Sequence, residues 1–148
     1  RLLLSGPAAP VAATERRTPT FALSVLIVED NLVNQRLAEK VLTSLGCRWT
    51  TAPNGLAALE ELKHLAPDVV LMDLHMPEMD GLTATTLIRA GVIGAERRNV
   101  WIVALTADAR AEQRTRALAA GANDYLTKPV HVSDLTAALE RYLAARRG

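Results

Sequence analysis

Four short apolar runs, each closed by a polar residue, constrain this chain more than any other feature of its sequence. Val25-Leu26-Ile27-Val28 ends in Glu29-Asp30, and Val69-Val70-Leu71-Met72 ends in Asp73. Val100-Trp101-Ile102-Val103-Ala104-Leu105 closes on Thr106, and Tyr125-Leu126-Thr127 runs into Lys128. Runs of Val, Ile and Leu without polar alternation read as strands buried on both faces, the condition of a parallel sheet covered by helices. Parallel strands point one way, so the residues that follow them converge on one edge, where open α/β sheets place their sites.

Glu29, Asp30, Asp73, Thr106 and Lys128 are therefore expected in one pocket. Carboxylates at close range repel one another and need a cation or a proton. Oxygen ligands with no Cys or His cluster beside them suit a hard ion, Mg2+ first among them, with water completing an octahedron. Such a metal beside Lys128 suits a phosphoryl group, because both neutralise its equatorial oxygens. Asp73 is the candidate nucleophile, forming an aspartyl phosphate, and Thr106 could donate a hydrogen bond to that product. A single Asp or Thr at a strand end is more often a helix cap. Five polar residues in this arrangement are hard to explain that way.

Helical periods are legible between the runs. Asn31 can cap a helix with Val33, Leu37, Val41, Leu42 and Leu45 on its apolar side and Gly46 as a left-handed stop. Pro53-Asn54-Gly55 turns a more polar strand, Arg48 to Ala52, into a second helix striped by Ala58, Leu59, Leu62 and Leu65 and ended by Pro67. A third helix uses Leu82, Leu87 and Ile88, and 91–99 is irregular, broken by Gly91 and Gly94. A fourth, from Asp108 to Arg114 and onward, has little apolar content, which suits either packing loose enough to shift or an ordinary solvated face. The last, Val132 to Ala145, buries Leu135, Leu139, Tyr142 and Leu143. The expected fold class is α/β, a doubly wound (βα)5 domain with a five-stranded parallel sheet, for which the flavodoxin-like order 2-1-3-4-5 is the expected topology. That order makes the second and fifth strands edges, and those two carry the polar interruptions. Right-handed crossovers place helices one and five on one face and two, three and four on the other.

Hydrophobic residues make up 49% of the chain, enough to cover a sheet, while 3% aromatics leave an aliphatic core. A net charge of +1 gives no electrostatic support for direct nucleic acid binding. The single Cys47 excludes an internal disulfide and reads as a buried small apolar residue. No apolar stretch approaches the roughly 20 residues that cross a bilayer, and Arg1-Leu2-Leu3-Leu4 is too short for a signal peptide. The start at Arg1 and the Pro, Ala and Thr content around Pro7, Pro10 and Pro19 are read as a fragment with a linker. Residues 1–21 are assigned to a tail from an upstream domain, whose end Leu2-Leu3-Leu4 would be, and 22–148 to the folded domain.

The same residues carry a family resemblance. Val25-Leu26-Ile27-Val28-Glu29-Asp30-Asn31 with Val33-Asn34-Gln35 comes first, then Asp68 through Asp73 to Leu74-His75-Met76-Pro77-Glu78-Met79-Asp80-Gly81. Ala104-Leu105-Thr106-Ala107 and Gly121-Ala122-Asn123-Asp124-Tyr125-Leu126-Thr127-Lys128-Pro129 follow. From about Leu23 to Leu143 the chain resembles the receiver domain of two-component signalling, most of all the receivers of hybrid sensor histidine kinases. The resemblance implies that Asp73 is the phosphoacceptor, and that Asp30, Asp73 and the His75 backbone carbonyl bind Mg2+, with Glu29 acting through a water. It implies that Lys128 contacts the phosphoryl oxygens and that Thr106 and Tyr125 form the switch. Small Ala107 would leave room for the phosphoryl group, and His75 and Asp108 would influence the hydrolytic water. The Lys128-Pro129 bond is expected to be cis.

On the same ground the partners are a histidine kinase dimerisation domain, a histidine phosphotransfer domain, or both. They would dock on the first helix near Leu32, Val33, Gln35 and Arg36, although Leu32 could equally be buried against the loops. A cytoplasmic domain of a bacterial protein is implied, with no membrane contact by this fragment, and its parent could be membrane-anchored. His64 and His131 read as surface residues. A receiver-like module that is never phosphorylated is the chief alternative, but such modules usually lack one of the acids, the hydroxyl or the lysine. An aspartyl-intermediate hydrolase would want an Asp where His75 stands. No Gly-rich phosphate loop follows the first strand, which disfavours a nucleotide-binding module. The expected function is a relay domain rather than a separate enzyme.

Overall fold

Residues 20–147 are described by the computed structural model, so residues 1–19 of the tail assigned to 1–21, with Leu2-Leu3-Leu4, lie outside the described residues. The apolar runs form β1 (Ser24–Val28), β3 (Val69–Asp73) and β4 (Trp101–Thr106), and the more polar segments form β2 (Arg48–Ala52) and β5 (Asp124–Thr127). All pair in parallel, in the order β2-β1-β3-β4-β5. The register sets Val28 beside Met72, Asp73 beside Leu105 and Thr106 beside Thr127, so the polar ends of the strands come level.

Five helices cover the sheet: α1 (Leu32–Ser44), α2 (Gly55–Leu62), α3 (Gly81–Arg89), α4 (Ala111–Ala120) and α5 (Val132–Arg147). Alternate strand residues serve opposite faces. Val25, Ile27, Val69, Leu71, Val103 and Leu105 pack against Ala38, Val41 and Leu42 of α1 and Leu135, Ala138 and Leu139 of α5. Leu26, Val28, Val70, Met72, Ile102 and Ala104 pack against residues of α2, α3 and α4. Each fully buried Leu or Ile contributes roughly 2 kcal/mol, so a one-residue slip of any central strand would be opposed on both faces at once. The expected topology and the division of helices between faces are both observed.

Some local expectations need correcting. In α1 the buried positions are Ala38, Val41, Leu42 and, at its end, Leu45, spaced i, i+3, i+4 and i+7. Val33 and Leu37 fall on the adjoining strip, 75% and 36% exposed. The second helix stops at Leu62, well before Pro67, and Leu65 lies in the following loop. There the Leu62 and Leu65 carbonyls both accept from Arg97 Nε, at 2.8 and 2.9 Å. The irregular stretch 91–99 holds one 3-10 turn, Ala95–Arg97. Helix α4 begins only at Ala111, buries just Gln113 and Ala117, and has no side-chain cap at Arg110. Phe21 is buried in the α1–α5 core and its N–H donates to Leu45 O at 2.7 Å.

Candidate functional site

Strand direction delivers the acids. Glu29 and Asp30 follow β1, Asp73 ends β3, Thr106 ends β4 and Lys128 follows β5. Carboxylate oxygens of Glu29, Asp30 and Asp73 lie within 4.8 Å of one another. Glu29 and Asp73 are buried and Asp30 is exposed, so the cluster opens to solvent through Asp30.

Lys128 Nζ stands 3.1 Å from Asp73 Oδ1 and 3.4 Å from Glu29 Oε1. One ammonium thus faces two buried carboxylates. Asp73 Oδ1 also accepts the His75 N–H at 3.1 Å, whereas Asp73 Oδ2 is buried with no hydrogen-bond partner among the described residues. A buried carboxylate oxygen left unpaired is costly. Burial, and next the charge of Asp73, push the Glu29 carboxyl from an ordinary 4.5 up to about 7, against the Asn31 N–H and Lys128, which pull it down.

The first turn of α1 fixes Glu29 in place. Its Oε2 accepts from Asn31 N at 3.2 Å and Asn34 Nδ2 at 3.5 Å, and Gln35 Nε2 donates to its carbonyl at 2.6 Å. Gln35 therefore braces the site, while Asn31 also caps the helix through Asn34 N at 3.0 Å. Sequence reasoning missed these supports, although Asn34 and Gln35 lay inside a quoted motif.

Beyond Asp73 the chain is clamped. Gly81 packs so closely on the Asp73 carbonyl and Met72 that a Cβ would clash there. Asp80 caps α3 through Thr83 N at 2.8 Å. Glu78 takes a positive φ of 67° and its Oε1 accepts from Asn54 Nδ2 at 2.8 Å, while Gly55 N donates to Met79 O at 3.2 Å. The start of α2 thus holds the loop that carries His75, a link no spacing in the sequence announced.

On the other side, Thr106 Oγ1 accepts the Asp108 N–H at 3.0 Å, and Tyr125 OH donates to the Asp108 carbonyl at 2.6 Å. Ala107 is exposed at the mouth. The Lys128-Pro129 bond is cis. His64, His75 and His131 are exposed, and so are Leu32, at 59%, and Arg36. All-oxygen donors, mutual repulsion and the unpaired Asp73 oxygen fit a hard divalent cation.

Residues 25–140 match the family model described as response regulator receiver domain. Hybrid signal transduction histidine kinase G of Dictyostelium discoideum is 44% identical over 127 residues, covering 84% of this chain and 4% of that protein. The receiver domain of the Pseudomonas aeruginosa PAO1 sensor histidine kinase PA1611, solved with a magnesium ion in its active site cleft, is 40% identical with a TM-score of 0.75, covering 84% of this chain and 99% of that one. The receiver domain of Saccharomyces cerevisiae Ssk1, solved with the histidine phosphotransfer protein Ypd1, belongs to a structure matched at 34% identity and TM-score 0.73, covering 82% of this chain and 88% of that one. The chain spans 4–6% of the length of three Dictyostelium kinases that it matches. Relatives come from eukaryotes as well as bacteria, so the match does not single out a bacterial source. Among the described residues no helix is long and apolar enough to cross a membrane.

Proposed function

The chain belongs to the response regulator receiver domain family of two-component signalling, and on that premise we propose that Asp73 accepts its phosphoryl group. The observation that carries this reading is the state of the Asp73 carboxylate. It is buried at the carboxyl edge of the sheet, paired through Oδ1 with Lys128 at 3.1 Å, and without a partner at Oδ2 among the described residues.

The donor is a phosphohistidine. An Asp73 oxygen bonds to phosphorus as the phosphorus–nitrogen bond breaks, and the electron pair of that bond returns to the imidazole. Lys128 is placed to meet the equatorial oxygens, where preorganised positive charge is worth most. Glu29, Asp30, Asp73 and the His75 carbonyl would hold Mg2+, which when bound offsets the negative charge of the phosphoryl oxygens. Glu29, fixed from Asn31 and Asn34, would act through a water. The transfer is self-catalysed, and the domain is not an enzyme in its own right.

Thr106 Oγ1 accepts from Asp108, so its own proton remains available for a phosphoryl oxygen. A new charge on Asp73 would draw Thr106 inward and disturb the Asp108–Tyr125 bond, biasing the loosely packed α4. The partner is a histidine phosphotransfer or kinase dimerisation domain, docking on the exposed Leu32, Val33 and Arg36 beside the site. We place the domain, residues 22–148 together with the buried Phe21, in the cytoplasm as one part of a longer hybrid kinase.

Intact mass after incubation with acetyl phosphate tests this. A Mg2+-dependent gain of one phosphoryl group, absent in Asp73→Asn, is expected. No gain under conditions that label a control receiver would leave a module that signals without phosphorylation.

A further inference from the structure

The peptide that joins Glu29 to Asp30 is held by a side chain of α1. β1 ends at Val28, and Glu29 makes the last backbone rung, its N–H donating to Ala52 O at 3.1 Å. Its carbonyl accepts no backbone N–H among the described residues and takes the Gln35 side-chain amide instead, Nε2 donating at 2.6 Å. The same turn of helix reaches the Glu29 carboxylate, where the Asn31 N–H and Asn34 Nδ2 donate to Oε2 at 3.2 and 3.5 Å. Asp30 has no such help. It is exposed, and among the described residues no cation pairs with it. Its direction is therefore set by the backbone, and the peptide before it is oriented by Gln35.

On the reading of Glu29, Asp30 and Asp73 as the acids that hold Mg2+, we propose that Gln35 is a positioning residue that links Mg2+ affinity to the order of the first turn of α1. Three carboxylates whose oxygens lie within 4.8 Å of one another repel when no cation is present. Rotation of the Glu29–Asp30 peptide would relieve them by swinging Asp30 out to water, and the Gln35 hydrogen bond opposes that rotation. The acids are thus kept in place before the cation arrives, and less of its binding energy goes into gathering them. Supports of this kind, one step removed from the metal ligands, are worth about 10- to 100-fold in metal affinity. The link runs both ways. A bound cation steadies the Glu29 carbonyl as an acceptor for Gln35, and so steadies a turn that otherwise rests on the Asn31 cap, Oδ1 accepting the Asn34 N–H at 3.0 Å. Leu32 and Val33 stand exposed on that turn, so the state of the metal site reaches the protein surface.

Calorimetric titration with Mg2+ at pH 8, on the whole chain and with no phosphoryl donor, tests the affinity. Q35M keeps the length and helix propensity of Gln but has no donor, and its Kd should be about tenfold weaker. Q35N ends its amide one methylene short of the carbonyl and should weaken binding likewise, which covers a Q35M that does not fold. Hydrogen exchange tests the reverse direction. Mg2+ should raise the protection of the Asn34 and Gln35 amides in the unaltered protein and leave it unchanged in either variant. A Gln35 that only supported the helix would lower protection alike with and without Mg2+. An unchanged Kd in the variants, or the same Mg2+-induced protection with and without the Gln35 amide, would overturn the link. An unaltered protein that binds no Mg2+ would instead overturn the reading of the acids, and the link with it.

Discussion

Lys128 sets its ammonium 3.1 Å from Asp73 Oδ1, both side chains being largely withdrawn from solvent. Glu29 Oε1 lies 3.4 Å from the same nitrogen, so one cation offsets two buried acids. Removing it by Lys128→Met leaves the acids facing each other, and breaking a buried pair from one side costs about 3–5 kcal/mol. Because the acids can escape by taking up protons, the loss should be larger at pH 8 than at pH 5. Urea unfolding at the two pH values measures this, and equal losses would refute the shared-cation account. Phosphoryl uptake should fall about a hundredfold, as on loss of other preorganised charges.

Glu29 gives the metal-free domain a pH dependence of its own. Its folded carboxyl is raised to about 7 from 4.5, first by burial and then by Asp73. Below the unfolded value both states hold the proton and folding carries no penalty. As pH rises towards 7 the unfolded chain ionises first, so stability declines, by about 3 kcal/mol in order of magnitude. Glu29→Gln should flatten that decline between pH 4.5 and 7. Added Mg2+ should raise the unfolding midpoint more at pH 8 than at pH 5, since protons compete for the same oxygens. A midpoint that responds equally to Mg2+ at both values would remove Glu29 from the account.

What the sequence made legible was whatever a strand imposes on its neighbours. Continuous apolar runs require two covered faces, and a common direction brings Glu29, Asp73, Thr106 and Lys128 to one edge. The supports were hidden because they depend on how segments meet. Asn54 contacts Glu78 across 24 positions of sequence and Arg89 contacts Asn123 across 34. Val33 and Leu37 misled for the opposite reason: hydrophobicity marks what can be buried, and only the 3.6-residue period says which strip faces the sheet.

Glu78 tests the loop that carries His75. At φ 67° it occupies the left-handed region without being glycine, held by Asn54 Nδ2 at 2.8 Å. Glu78→Gly should be neutral to slightly stabilising, because the steric cost of the left-handed backbone, roughly 1–2 kcal/mol, is relieved while an exposed hydrogen bond is lost. Glu78→Val should cost about 2 kcal/mol more than the glycine variant, since a β-branched side chain fits this backbone worst. Denaturant midpoints rank the three proteins. A valine variant as stable as the glycine one would mean the loop does not need this conformation.

Arg89 fastens the far end of α4. Half-buried and with no carboxylate partner among the described residues, it donates to Gly121 O at 2.9 Å, Arg98 O at 2.6 Å and Asn123 Oδ1 at 2.7 Å. Asn123 Oδ1 in turn accepts the Ile102 N–H at 2.8 Å, which ties the α4–β5 turn to β4. Gly121, at φ 115°, could not carry a side chain beside Arg89 Cγ. With only Gln113 and Ala117 buried along α4, this clamp adds a polar attachment at its C-terminal end. Arg89→Ala should cost about 2–3 kcal/mol, in the range for charge-assisted hydrogen bonds. Arg89→Lys should recover less than half of it, since a point charge cannot span three separated oxygens. Hydrogen exchange locates the effect: the amides of Gly121 and Asn123 should lose protection before those of β1 and β3. Uniform loss across the sheet would show that Arg89 supports the whole domain and not the seat of α4.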